Sequence, residues 1–589
     1  MHAPGSDDHP ATAATSPEDA PSGFDRRSFL KWTAAAGAAA GLAEVTGSQR
    51  ALGADGLGTM LTPQQEASRL LAQCTFGGDQ ALIDWVTATG LEAWLDAQMA
   101  LPPSLTLPQV FQLVEDMEGF EDEFLYFDWI WWQHAMTAPD VVRHRVAWAL
   151  QQIFVISRFQ DVLYDSSVAV SAYHDVLARN AFGNFRNLLL DVALQPSMGV
   201  YLSHLWNRRS DPVLNRFPDE NFAREVMQLF SIGLFELNAD GSRVLDGRGQ
   251  PIPTYTNAEI TEMAKIFTGL TQAPTEPGEP ILFGGEDPGE GNVWDSMVMY
   301  EDEHEPGPKT LLNGFVVPGG QTGMQDVEMA IDHLFQHPNV GPFMGRHLIQ
   351  RLVTSNPTPA YISRVSAVFA DNGSGVRGDM AAVIKAILMD PEARDASRID
   401  DPNFGKAREP FTRWVQLGRA FHATSPSGQF RHFGGGLPDD SAEGVELPAL
   451  AQYPFFSPSV FNFYSPTHQP AGALTDADLV APELQIIHSY TSVATANLLY
   501  RAIVDNEYLY DSFSDDDIQL DLNTEVAVAD MGPAALIDHL DLLLTYGTLS
   551  AASRTIMLDA IMPLAGEPED QVLLALYLFS ICPEYAVQR

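Results

Sequence analysis

Segment 218–230 brings together side-chain types that bind and transform small polar molecules. Drawn as a helix at 100° per residue, it places four polar residues on one stripe: Asn221, Arg224, Glu225 and Gln228. Together an amide, a guanidinium and a carboxylate could hold a substrate carboxylate, a sugar or a metal, and Glu225 could act as a general acid or base. The alternative is an amphipathic helix with a solvated polar face, on which Arg224 and Glu225 form an ion pair of small energetic value.

A second candidate lies in the Gly/Pro-rich loop 302–309. His304 and Glu305 stand there beside Lys309, one of only five lysines in the chain. A histidine among carboxylates can act in acid–base chemistry or bind a divalent metal, so His304 and Glu305 are the metal-ligand candidates. The competing interpretation is a solvated acidic loop, because spacing fixes no further ligand.

Three weaker patterns follow. Arg408-Glu409 opens a helical segment and could contact substrate, or it could be a capping ion pair. His174, in Tyr173-His174-Asp175, is more typical of a structural histidine. His333 and His337 have helical zinc-ligand spacing but lack the glutamate of an HExxH motif, and Pro338 follows directly. The sequence contains no nucleophile elbow, phosphate loop, CxxC or haem-attachment motif.

Helical periodicity dominates the elements that must position these residues. Apolar residues recur at three-and-four spacing in the following segments: 63–73, 79–99, 122–137, 140–158, 168–179, 183–206, 219–234, 257–269, 324–336, 341–354, 358–371, 377–390, 406–422, 481–503, 532–545, 549–563 and 569–579. Strand-like alternation is scarce, and long Gly/Pro-rich loops separate the helices. The pattern predicts a mainly α, multi-helix orthogonal or bundle-like domain over 60–589, with a possible subdomain break near 272–322.

Charge and cysteine content narrow the functional classes. The chain carries 77 acidic and 33 basic residues, a net charge of −44, which disfavours binding to nucleic acid or to anionic lipid surfaces. Its two cysteines, Cys74 and Cys582, are too few to indicate a fold that is held together by disulfides. Two separate buried thiols are favoured over a disulfide between them.

The N-terminus predicts where the protein works. Arg26-Arg27 is followed by Ser28-Phe29-Leu30-Lys31 and by the small apolar run 34–43, the pattern of a twin-arginine (Tat) export signal. The run is well short of the ~20 residues that span a bilayer. We therefore expect residues 1–54 to be a disordered start plus signal peptide, cleaved between Ser48 and Asp55. The mature protein would be periplasmic or extracellular, handled by the Tat translocase and not stably inserted in a membrane.

Motifs along the chain from Glu66 onwards resemble the bacterial family called domain of unknown function 1800. The blocks that carry the resemblance are these: Arg69-Leu70-Leu71, Thr75-Phe76-Gly77, Ala181-Phe182-Gly183-Asn184-Phe185, Asn221-Phe222-Ala223-Arg224-Glu225, Leu229-Phe230-Ser231-Ile232-Gly233, Tyr255-Thr256, Phe267-Thr268-Gly269, His304, Lys309-Thr310, His337-Pro338-Asn339, Ala407-Arg408-Glu409-Pro410, Pro458-Ser459-Val460 and Pro583-Glu584-Tyr585.

The resemblance implies export, often through Tat, and a frequent gene neighbour of sulfatase-like type (domain of unknown function 1501). It implies no established activity. Many relatives carry a Trp-His-x-His-Phe run where this chain has Trp148-Ala149-Leu150-Gln151-Gln152-Ile153-Phe154. If those histidines bind metal in relatives, this chain lacks that part.

Three functions are open at this point. The first is an extracytoplasmic hydrolase-like enzyme acting on a cell-envelope or polysaccharide-type substrate. Glu225, His304 and Lys309 would be its catalytic residues, and Asn221, Arg224, Arg408 and Glu409 would bind the substrate. The second is a non-catalytic binding or assembly partner of an exported sulfatase-like protein. The third is a metal or cofactor carrier: a divalent metal is conceivable, but no haem, iron–sulfur, flavin or nucleotide signature occurs.

Overall fold

Helices follow one another along almost the whole chain in a computed structural model that describes residues 60–117, 123–285, 287–430, 449–505 and 518–589. Segment 1–54, with its signal residues Arg26 and Arg27, lies outside the described residues.

The α-helices are α1 (Pro63–Cys74), α2 (Gln80–Thr89), α3 (Leu91–Met99), α4 (Leu107–Asp116), α5 (Tyr126–Thr137), α6 (Val141–Gln151), α7 (Asp161–Tyr164), α8 (Ser167–Asn180), α9 (Phe185–Leu194), α10 (Pro196–Tyr201), α11 (Asn221–Gln228), α12 (Asn257–Ile266), α13 (Gly323–Gln336), α14 (Val340–Leu352), α15 (Pro359–Ala370), α16 (Met380–Leu388), α17 (Pro391–Arg394), α18 (Pro410–Ala420), α19 (Ala473–Asp476), α20 (Ser489–Tyr500), α21 (Asn523–Ala529), α22 (Pro533–Thr545), α23 (Ala551–Ile561), α24 (Pro568–Ile581) and α25 (Pro583–Ala586). The strands are β1 (Leu270–Thr271), β2 (Val298–Met299), β3 (Lys309–Thr310), β4 (Val316–Val317), β5 (Lys406–Ala407) and β6 (Val587–Gln588).

The prediction of a mainly α fold with little strand is confirmed. Two long predicted helices are each divided, and the residue types explain both divisions. Gly90 adopts φ 89° between α2 and α3, a conformation that favours glycine. Pro196 begins α10 directly after α9, because it has no N–H to continue the preceding helix. Helix α4 was not predicted, since its start lies beside the prolines at 102, 103 and 108.

One continuous cluster of buried apolar side chains extends from Ala67 to Tyr585. An aromatic group lies within it, where the Trp148 and Phe411 rings stack with centroids 4.6 Å apart and Trp131 contacts both. The single unit over 60–589, with its possible break near 272–322, stays a prediction.

Each strand is two residues long and pairs with one antiparallel partner, which holds two loop segments together. β1 pairs with β2, β3 with β4, and β5 with β6, so residues 406–407 are joined to residues 587–588. Gly269, just before β1, has φ 85°, and a Cβ there would lie 2.8 Å from the Tyr300 carbonyl oxygen. The loop 300–304 therefore approaches this backbone more closely than any larger residue would allow.

Both cysteines are buried and free, as favoured from the sequence. Burial raises the pKa of each thiol to about 12. Of the helices in the described ranges, none has both the length and the apolar character to cross a bilayer.

Candidate functional site

Helix α11 presents the polar stripe predicted from the sequence. Its other side is buried, because Phe222 stacks on the His204 ring at 3.9 Å and meets Phe267 edge-on at 4.7 Å. Asn221 is exposed and Arg224 is partly exposed, but only 5% of the surface of Glu225 is exposed. The packing of α11 therefore places a carboxylate among partly buried neighbours instead of in solvent.

Glu225 is an under-bonded acid. Its Oε2 atom is buried and has no hydrogen-bond partner among the described residues. Burial raises the pKa of this carboxyl, and the positive charge of Arg224 opposes the shift only in part. Two phenols lie close enough to feel its charge, since burial and then Glu225 raise the pKa of Tyr201 and of Tyr255 to about 12. A carboxyl with these properties keeps its proton to a higher pH than an ordinary glutamate does and can donate it.

Arg224 does not form its ion pair with Glu225. Its Nη2 lies 3.5 Å from Glu220 Oε2, one turn earlier on the chain, and 40% of its side chain is exposed. The other Glu220 oxygen accepts a hydrogen bond from the Thr261 hydroxyl at 2.8 Å, which joins α11 to α12. Arg224 is thus available to an anionic group in solution, while Glu225 has no direct counter-ion.

His304 and Lys309 meet in a closed cluster with Asp326, the first-turn acid of α13. His304 Nδ1 donates to the Thr268 carbonyl at 2.9 Å, and its Nε2 lies 3.0 Å from Asp326 Oδ2 and 3.1 Å from Lys309 Nζ. Lys309 also donates to Asp326 Oδ2 and to the Glu305 carbonyl. Lys309 and Asp326 side chains are 1% and 2% exposed. These groups satisfy one another and hold loop 301–309 against α12 and α13.

Asp326 is the anion of this cluster. Although burial alone would raise its pKa, hydrogen bonds from His304, Lys309 and Gln321 hold the pKa of the carboxyl below its ordinary value. The sequence analysis missed Asp326. Its position four residues after Thr322, the N-cap of α13, is a signal only for a helix start.

Glu305 turns to a different partner, accepting from the Ser210 backbone N–H at 3.0 Å. In the parts of the chain that the structure describes, no group of three or more His, Cys, Asp and Glu side chains is arranged to hold a metal ion. His304 and Glu305 therefore belong to no such group in those parts.

Arg408 and Glu409 diverge from each other and are both buried. Glu409 accepts from the Tyr464 hydroxyl at 2.5 Å, and from the side-chain amides of Gln152 and Gln452 at 2.8 and 3.3 Å. Despite burial, the positive charge of Lys406 and that of Arg145, with these hydrogen bonds, lower the pKa of Glu409 to about 2.

Arg408 points to neutral partners instead. It donates to Gln416 Oε1 at 2.7 Å and to the Leu544 carbonyl at 3.2 Å. Its guanidinium also lies 5.1 Å from the centre of the Tyr585 ring. Arg408 and Glu409 therefore do not pair with each other in the structure, and neither do Arg224 and Glu225.

The structure thus forms three separate groups from the predicted site residues. Glu225 shares the α11 surface with Asn221 and Arg224, His304 shares a cluster with Lys309, and Arg408 with Glu409 is in the interior. No hydrogen bond or ion pair among the described residues joins Glu225 to His304 or Lys309.

A cleft that the sequence analysis did not identify lies between α2, α5 and α18. It has a volume of about 540 Å³. Trp85 lines the cleft with 51% of its surface exposed, and its ring contacts that of Trp94 edge-on. Gln98 also lines the cleft, and its buried Oε1 atom has no described hydrogen-bond partner. His422, with Nε2 3.5 Å from Asp79 Oδ2, completes the polar wall. An exposed indole beside polar groups suits stacking on the face of a sugar ring.

A buried histidine cluster was also missed, although His174 was singled out. The His144 ring lies 5.0 Å from that of His134 and 6.0 Å from that of His174, from centre to centre. Burial lowers the pKa of His134 to about 3, and that of His144 falls too. Neutral imidazoles packed in this way are structural, and they make the interior sensitive to acid.

Comparison with known proteins gives two matches. Residues 69–587 match the model of a family described as protein of unknown function (DUF1800), and residues 23–43 match the twin-arginine translocation pathway signal sequence. No curated protein and no solved structure matched the chain.

Proposed function

We propose that this chain, which belongs to the DUF1800 family and is exported by the Tat pathway, is an extracytoplasmic hydrolase with Glu225 as its acid. The substrate class is a cell-envelope or polysaccharide-type polymer. The observation that carries the proposal is the under-bonded Glu225 carboxyl, whose pKa is raised by burial. Acids whose pKa is shifted by burial in partly open surroundings are typical of catalytic sites.

Glu225 in this role donates its proton to the leaving-group oxygen as the bond to that oxygen breaks. A water molecule adds to the carbon that loses this oxygen, and the proton that the water releases restores the acid. Burial favours the neutral form that the step requires, and Tyr201 and Tyr255 lie close enough for the charge of Glu225 to raise the pKa of their phenols. Arg224 and Asn221, on the open side of the same helix, bind the substrate. Arg224 suits an anionic substituent because its only ion-pair partner, Glu220, is also partly exposed.

His304 and Lys309 take a positioning role in this proposal. Their mutual bonds and burial keep them from substrate, while their cluster fixes the loop that follows α12. Helix α12 packs on α11, so the cluster can affect the position of Glu225 through α12. Arg408 and Glu409 likewise support the interior.

The cleft at Trp85 supports a saccharide as the polymer. Indole rings bind sugars through the apolar face of the ring, and Gln98 offers an acceptor without a described partner in the same cleft. Trp85 is therefore proposed to hold the polymer chain, separately from the chemistry at Glu225.

The test uses purified mature protein incubated with isolated envelope polysaccharides, with new reducing ends as the readout. Glu225→Gln keeps the shape of the side chain but removes its proton, so turnover should fall by roughly 10²–10⁴-fold. Glu262→Gln on α12, which pairs with Lys265 near the surface, is the matched control and should retain activity. Equal turnover in the Glu225→Gln variant and the wild type would rule out this role.

The second candidate is a non-catalytic assembly partner of an exported sulfatase-like protein. The closed His304–Lys309–Asp326 cluster favours it, since those side chains have no free bonding capacity for substrate. Affinity purification of the exported protein from its native host would test this candidate. A stoichiometric sulfatase-like partner, retained by Glu225→Gln, would support assembly over catalysis.

A further inference from the structure

A small enclosed cavity lies in the interior where β5 leads into α18. Its volume is about 20 Å³, and its lining includes Arg145, Lys406, Arg408, Glu409 and Gln416. About 10–15 Å³ is enough for one water molecule. The cavity therefore holds one water-sized or monatomic species and excludes sugars, phosphate and sulfate.

Among the described residues, neither arginine that lines this cavity has an ion-pair partner. Arg408 bonds only to the neutral oxygens of Gln416 and Leu544, and its Nε and Nη2 atoms are buried without a partner. Arg145 donates through Nη2 to the Arg351 carbonyl at 2.6 Å. Within the described ranges, no carboxylate lies within ion-pair distance of either guanidinium.

Of the two carboxylates nearby, Glu409 has both oxygens hydrogen-bonded, and Glu483 pairs through Oε1 while its buried Oε2 has no described partner. Lys406 Nζ pairs with Glu483 Oε1 at 3.0 Å and donates to the Arg351 carbonyl at 2.9 Å. The Glu409 oxygens accept from Tyr464, from two glutamine amides and from the Trp148 indole. Arg351, buried beside them, adds a further positive charge.

The local balance of charge is therefore positive. Three cations line the cavity against the single carboxylate of Glu409, and Glu483 offsets only Lys406. A buried charge without a partner is strongly unfavourable, and a neutral water molecule would satisfy one N–H without offsetting the charge. A monatomic anion would do both.

We propose that this cavity binds one halide ion, chloride in the cell envelope, between Arg145, Lys406 and Arg408. The ion accepts hydrogen bonds from the unpartnered Arg408 N–H groups. Because Gln588 also lines the cavity, the ion joins β5 and α18 to strand β6. This site is independent of the hydrolase proposed at Glu225, and its loss would not remove the Glu225 chemistry directly.

Bromide tests the site directly. Crystals of the wild-type mature protein grown with sodium bromide replacing chloride should show an anomalous peak between Arg145, Lys406 and Arg408. A water-sized density without anomalous signal there would overturn the proposal, and this measurement needs no variant.

Thermal unfolding at constant ionic strength gives a second readout. As chloride replaces gluconate, the midpoint should rise by about 1 °C for each tenfold increase in chloride above the dissociation constant. Arg408→Met should lose this dependence, whereas Arg364→Met, at a half-exposed arginine paired with Asp390, should keep it. A midpoint that does not respond to the identity of the anion in the wild type would contradict chloride binding.

Discussion

Removing the charge of Asp326 should destabilise the protein far more than removing that of Asp332 on the same helix. Asp326→Asn keeps the side-chain shape but leaves Lys309, 1% exposed, without a counter-ion. Breaking a buried pair in this way typically costs about 3–5 kcal/mol of folding free energy. Asp332 pairs with Arg186 at 2.6 Å on the surface, with 58% of its side chain exposed, so Asp332→Asn should cost about 0–1 kcal/mol.

The double variant Lys309→Met/Asp326→Asn separates charge from packing. With the ammonium removed as well, no uncompensated charge remains, and most of the lost stability should return. Urea unfolding of the mature protein, followed by circular dichroism at pH 7, measures all four proteins. If Asp326→Asn and Asp332→Asn lose the same stability, the reasoning on the buried cluster is refuted. If the double variant is no better than Asp326→Asn, packing and not charge dominates.

Three further predictions concern the rest of the molecule. Burial lowers the pKa of His134 to about 3 and that of His204 to about 4, against about 6.5 in the unfolded chain. Below pH 6.5 the unfolded chain therefore binds more protons, so the free energy of unfolding should fall by roughly 2 kcal/mol per histidine between pH 7 and pH 5. In urea titrations at the two pH values, His204→Asn should reduce this dependence on pH. Gly269→Ala should lower the thermal midpoint, because its Cβ would meet the Tyr300 carbonyl at 2.8 Å; an unchanged midpoint would contradict that close approach. Trp85→Ala should weaken binding to insoluble polysaccharide in pull-down assays by tenfold or more without changing the thermal midpoint, since this ring is half exposed; unchanged binding would count against the saccharide cleft.

Helices could be predicted from the sequence because their information is local. In α13 and α24, apolar spacing over a dozen residues marks the buried face, whatever packs against it. Strands β5 and β6 could not be predicted, because each is two residues long and each partner lies far away along the chain. An alternating pattern needs more residues than either strand contains.

Individual residues of the candidate site could be predicted from the sequence, but their arrangement could not. The residue types at Glu225 and His304 indicated chemistry, but the partners of each depend on tertiary packing. Asp326 reaches His304 across 22 residues, and the two phenols beside Glu225 come from other segments. Sequence spacing therefore gave the stripe on α11 and could not give the burial that raises the pKa of its acid.

The pairing of β5 with β6 joins parts of the chain that lie far apart in the sequence. Arg69 Nε donates to the Arg589 carbonyl across 520 residues, and the Gln588 amide donates to the Leu352 carbonyl. These contacts cannot form on the ribosome until residues 587–589 have been synthesised, long after the signal at 23–43 has emerged. The signal must then wait for the folded body. Because Tat carries folded proteins, these contacts between distant parts of the chain form before export.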